Sequence, residues 1–187
     1  MVGHWCEIQS PSQARETERM RSLIAAFALL LTLGAGPAWS GSGAGGTATA
    51  VFGFEIRDTS GERHTAALQQ RLQAASELLR RELDASARYD VVSLDGQAEA
   101  IATEGYLAGC NGCELAIARE VGARWSVRGL VHKVSTLILY IQVTVTDAET
   151  ERVVREGTVG IRGDTAAAYR RGVRFLVRDH LTGEPGE

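Results

Sequence analysis

Trp125-Ser126-Val127-Arg128-Gly129-Leu130-Val131-His132, then Leu137-Ile138-Leu139-Tyr140-Ile141-Gln142-Val143-Thr144-Val145-Thr146, then Val153 to Arg162, is the stretch that decides the fold. Apolar residues recur every second position, the signature of strands with one buried face. In the first segment Trp125, Val127, Gly129 and Val131 alternate with Ser126, Arg128, Leu130 and His132. In the second, Leu137, Leu139, Ile141, Val143 and Val145 predict an inner face, with Ile138, Tyr140, Gln142, Thr144 and Thr146 opposite. The segments between, Lys133–Thr136 and the polar turn Asp147–Glu151, are short, so the three strands predict an antiparallel meander.

On the amino-terminal side, Thr47–Ile56 reads as a strand with Ala48, Ala50, Phe52, Phe54 and Ile56 alternating, closed by the turn Asp58-Thr59-Ser60-Gly61. Leu68, Leu72, Ala75, Leu79 and Leu83 then recur at helical spacing, predicting a helix from about Thr65 to Ala87. Tyr89–Leu94 predicts a short strand, Gln97–Leu107 a short helix, and Glu114–Val121 another that stops at Gly122. After the meander, Asp164 is expected to cap a helix with Tyr169, Val173, Leu176 and Val177 inward. The order β-α-β-α-α-β-β-β-α predicts an α+β fold, a single domain over 48–182 with a mixed sheet ending in the meander and helices packed on it.

The chain has 187 residues, a net charge of -3 and 44% hydrophobic residues, so neither a basic nucleic-acid binder nor bulk disorder fits. Leu23–Leu33 is an eleven-residue apolar run, too short to span a bilayer, preceded by Met20-Arg21 and followed by Gly34, Gly36 and Pro37. Small residues flank Trp39 in Ala38-Trp39-Ser40, so 20–40 reads as a signal peptide cleaved after Ser40. Residues 1–19 fit an n-region poorly; a start assigned too early explains them, with an extended n-region as the alternative. Export removes Cys6 and leaves the charge at -3, because residues 1–40 carry three basic and three acidic side chains.

Gly41–Gly46 matches G-x-G-x-x-G, but without a preceding strand it reads as part of a flexible leader, 41–47. Leu107-Ala108-Gly109-Cys110 matches a lipoprotein box but lies far beyond the apolar run. A soluble periplasmic protein is therefore expected, without a membrane span in the mature chain and with 183–187 as a tail.

This order of elements resembles the amino-terminal domain of the TolB translocation protein and related envelope assembly modules. Val51–Glu55, Gly122-Ala123 before a strand, and Asp147-Ala148-Glu149-Thr150 in the meander carry that likeness. The chain also resembles exported bacterial domains of unknown function, numbered 2380 and 3280. The segments that carry this are Phe54–Gly61, Cys110–Cys113, Val131–Ser135 and Ile161–Thr165. The resemblance implies the fold and a periplasmic address; it implies no activity.

Cys110-x-x-Cys113 is the most specific local feature. In an oxidising compartment it predicts a structural disulfide; a redox pair at a helix start is the alternative. A zinc site would need two further ligands, and haem attachment would need His where Glu114 stands, so no metal and no cofactor is expected. Asn111, His132 and Lys133 are candidates for a pocket or loop site; no residue is assigned a catalytic role. Arg162-Gly163-Asp164 reads as a strand end, a turn and a cap. Arg170, Arg171, Arg174 and Arg178 form a candidate docking stripe with only Asp179 nearby. The expected function is a non-enzymatic binding or assembly module with an envelope or periplasmic protein partner and no nucleic acid. The alternatives are a thiol-disulfide accessory protein and a small-molecule binding domain.

Overall fold

The computed structural model describes residues 45–183. The expectations for a start at Met20, for the signal peptide, for most of the leader and for residues 184–187 lie outside the described residues. The order is β1 (Thr47–Asp58), α1 (Ala66–Asp84), β2 (Tyr89–Val92), α2 (Ala98–Glu104), a 3-10 turn (Leu107–Gly109), α3 (Cys113–Glu120), β3 (Trp125–Lys133), β4 (Ile138–Asp147), β5 (Val153–Arg162), α4 (Ala166–Leu176) and a closing π turn (Val177–Leu181). The α+β fold expected from the sequence is the one observed.

The five strands lie in the order β2-β1-β3-β4-β5. β1 runs parallel to β2 and β3; β3, β4 and β5 are the antiparallel meander. Helices α1 and α4 cover one face. Leu68, Leu72, Leu79 and Leu83 of α1 and Tyr169, Val173 and Leu176 of α4 meet Val127, Val131, Leu139, Ile141 and Val143 there. The other face is covered on its β1 side by α3, where Ala50, Ala118, Ala123 and Ala148 pack closely.

β1 departs from the alternation read in its sequence. Its pairing with β3 slips between Val51 and Gly53, so Phe52 is an extra residue. Ala50 and Phe52 therefore face α3, whereas Phe54 and Ile56 face α1. Gly53 makes the slip possible with φ +85°. The Phe54 N–H is taken up by Ser76 Oγ of α1 at 2.8 Å, and a Cβ at residue 53 would lie 2.7 Å from that oxygen.

Three further expectations are corrected. Leu137 is not on the inner face: it precedes β4 and is 68% exposed. The helix expected over 97–107 stops at Gly105, whose φ of +71° ends it before the 3-10 turn. Thr165, not Asp164, caps α4, its Oγ1 accepting from Ala168 N–H at 3.2 Å. Asp164 is engaged elsewhere. Gly122, with φ +73°, does follow α3 as expected.

Candidate functional site

The register aligns the carboxyl ends of β1 and β3, placing Asp58 beside Lys133. Because successive strand residues point to opposite faces, His132 and Lys133 separate. Lys133 turns under the loop after β1 and is 3% exposed. Its Nζ lies 2.8 Å from Glu62 Oε2, 3.3 Å from Asp164 Oδ2 and 4.0 Å from Asp58 Oδ2. Arg71 of α1 donates Nε–H to Asp164 Oδ1 at 2.8 Å. His64 reaches Asp58 at 3.3 Å, and the Ser60 N–H and hydroxyl donate to Asp58 Oδ1.

These contacts set the protonation states. The hydrogen bond to Glu62 holds the Lys133 ammonium above its ordinary value of 10.5; burial works against it, and Asp164 adds to the rise. Burial favours a neutral Asp58, but the Ser60 hydrogen bonds, Lys133 and His64 outweigh it and hold the carboxyl below its ordinary value. A nucleophilic lysine needs a lowered pKa. Lys133 has the opposite environment, and the cluster is an electrostatic lock joining the 59–65 loop, the β1 and β3 ends and the start of α4.

The disulfide is the second cluster. Cys110 and Cys113 are bonded. The preceding turn is clamped to the sheet by Glu55 of β1, whose carboxylate accepts the Leu107 and Ala108 N–H groups at 2.8 and 2.6 Å. Arg128 of β3 donates to Leu107 O at 2.8 Å and lies 3.7 Å from buried Glu114. The Glu114 carboxylate stands 3.7 Å from Cys110 Sγ. Cys110, Cys113 and Glu114 gather their ligand-type atoms within 4.8 Å, but both sulfurs are used in their mutual bond. The double change Cys110→Ser with Cys113→Ser is expected to cost about 2 kcal/mol, the order set by closing a short loop. Hydrogen exchange should quicken in α3 while the β3–β4 amides keep their protection.

The remaining candidates are dispersed. Asn111 is exposed with φ +59° in the disulfide loop. His132 Nε2 lies 3.1 Å from Thr59 Oγ1. Asn111, His132 and Lys133 therefore do not form one site. Arg170, Arg171, Arg174 and Arg178 are all exposed on and after α4. The stripe is more paired than its sequence suggests: Arg174 meets Glu82 of α1 at 3.0 Å, and Arg178 makes two bonds to Asp179. Arg170 and Arg171 make no ion pair among the described residues. A recess of about 500 Å³ lies at β2, lined by Arg80, Arg81, Asp84 and Val91–Asp95, away from all these candidates. Sequence reasoning missed Glu55, Glu62, Arg71, Glu114 and Arg128. Glu55 had a signal, a carboxylate inside an apolar strand; Glu62 and Arg71 had none.

A small α+β domain with an ion lock at one sheet end and a disulfide-braced turn on one face is the class these features define. The chain belongs to the family described as a protein of unknown function (DUF2380), whose profile matches residues 47–181. No curated protein matches it. Among solved structures, the LpoB C-terminal domain from Salmonella enterica is similar at 19% identity and TM-score 0.48, covering 66% of this chain and 87% of that one. PelC from Paraburkholderia phytofirmans, a dodecamer, is similar at 15% identity and TM-score 0.46, over 76% and 91% of the two chains. TolB from Acinetobacter baumannii is similar at 14% identity and TM-score 0.43, over 75% of this chain and 29% of TolB. These likenesses concern the fold alone. No helix among the described residues is long and apolar enough to cross a membrane.

Proposed function

We propose that this chain is an exported, non-enzymatic binding module of the bacterial envelope, working in the periplasm through the uncovered part of its sheet. The observation that carries this reading is the uneven covering of the second sheet face. The disulfide turn and α3 occupy the β1 side, while Ile138 and Tyr140 on β4 and Val153 on β5 stay exposed, Tyr140 at 45%. Exposed apolar groups gathered on a rigid face suit protein contact. The leader-like Leu23–Leu33 run and the Cys110–Cys113 bond both fit an oxidising compartment. Arg170 and Arg171 add positive charge for an acidic partner.

The disulfide reads here as a brace. Redox cysteines sit in electropositive surroundings that favour the thiolate. The Glu114 carboxylate beside Cys110 opposes that. The test is the intact mass of the protein recovered from periplasmic extract, before and after reduction. The reading expects a chain shortened by its leader that gains two hydrogens on reduction. Recovery of the full-length chain from the cytoplasm, with free thiols, would overturn it.

A further inference from the structure

We propose that two copies of this chain pair through β5, edge to edge and antiparallel, to make one continuous ten-stranded sheet. β5 ends the sheet order, with no strand beyond it among the described residues. The pairing does not rest on export or on the open sheet face, because it uses backbone groups at the edge.

The hydrogen-bond phase is fixed by the neighbouring strands. Ala148 N–H donates to Arg124 O and Val134 N–H to Ile138 O, so even-numbered residues of β4 bond to β3. Odd-numbered β4 residues then bond to β5, as Gly163 N–H to Leu137 O confirms at the strand end. From Arg155 to Ile161 their β5 partners are the odd-numbered residues; before that the pairing slips between Val145 and Thr146, with Val154 as the extra residue. The N–H and C=O groups of Glu156, Thr158, Gly160 and Arg162 therefore point away from the sheet. Beyond the bulge at Val154, no proline blocks this edge and no lysine guards it, two of the devices that keep edges unpaired.

One register makes the edge self-complementary. An antiparallel pairing in which outward groups meet outward groups must join even to even. Placing Glu156 opposite Arg162 of the second copy also places Arg162 opposite Glu156, so the two-fold axis creates two matched charge pairs. Thr158 then faces Gly160, and Val159 lies on the axis. Glu156 is held on the open face by a hydrogen bond from Gln142. A two-residue slip in either direction loses both charge pairs. On the helix side, Phe175 is 38% exposed and packs edge-on against His180, whose Cβ rests on Gly157 of β5. An exposed aromatic ring thus borders the same edge.

The test needs no partner: light scattering and equilibrium sedimentation of the purified protein, up to about 100 µM, in low salt. The wild-type chain should dimerise. Glu156→Arg alone and Arg162→Glu alone should each weaken self-association about 30-fold, since each sets like charges opposite at two places. Mixing the two variants should restore the dimer, because each copy then supplies the charge the other lacks. Thr158→Pro, which removes an outward N–H without touching the β4 ladder, should give a monomer with an unchanged circular dichroism spectrum. A wild-type monomer throughout this range would overturn the proposal. So would a dimer indifferent to the charge reversals, or single variants whose mixture stays monomeric.

Discussion

Lys133→Ala is expected to lower the unfolding free energy by about 3–5 kcal/mol, because it leaves buried Asp58 and Asp164 carboxylates facing an empty space. No surface substitution should approach this. The measurement is chemical denaturation at neutral pH, repeated across pH. Lys133 has a folded pKa above its ordinary 10.5, so its contribution is complete below that value and fades as pH rises through the folded one. Asp58 has a folded pKa below its ordinary 3.8, so its contribution is complete above that value and fades as pH falls through the folded one. The gap between wild type and Lys133→Ala should therefore be widest between these limits and narrow on both sides. Lys133→Met should cost nearly as much, since it restores volume without charge. A variant within about 1 kcal/mol of wild type, the range of an exposed pair, would show that the ammonium is solvated and the lock is not formed.

Gly129→Ala should be the next most damaging change, costing about 1–3 kcal/mol by overpacking. A Cβ at residue 129 would sit 2.3 Å from Phe54 Cδ1 and 2.5 Å from its Cε1. The ring lies against this position because the slip in β1 turns Phe54 towards the helices. The check is a double-mutant cycle with Phe54→Leu, in which the smaller side chain should recover most of the loss. Additive costs would place the strain elsewhere.

The meander was legible because each strand has one face in the core, and a half-buried strand writes its pleat into the sequence. Leu139, Ile141, Val143 and Val145 show it without exception. The helix α1 was legible for the same reason at its own period. What failed were features set by contacts across the chain. The slip at Phe52 depends on Ser76, 22 residues after Phe54, supplying a hydroxyl to the stranded N–H. Asp164 looks like a helix cap from its neighbours alone; it is drawn inward by Arg71 and Lys133, and Thr165 takes the cap. The ion lock was visible only in fragments. Three of the four segments that resembled the family converge on it, through Asp58, Lys133 and Asp164, yet nothing in their spacing brings them together. Glu62 and Arg71 complete it from positions that read as ordinary solvated charge.

The binding-module account stands most directly on the uncovered face of β4 and β5. A photo-activatable residue placed at Tyr140, in the protein expressed in cells, should yield a discrete cross-linked species, whereas the same residue at exposed Glu77 on α1 should not. Mass spectrometry of that species separates a second copy of this chain from a different protein. Cross-links of equal yield at Glu77 and Tyr140, or none at Tyr140, would contradict the assignment of that face as the working surface.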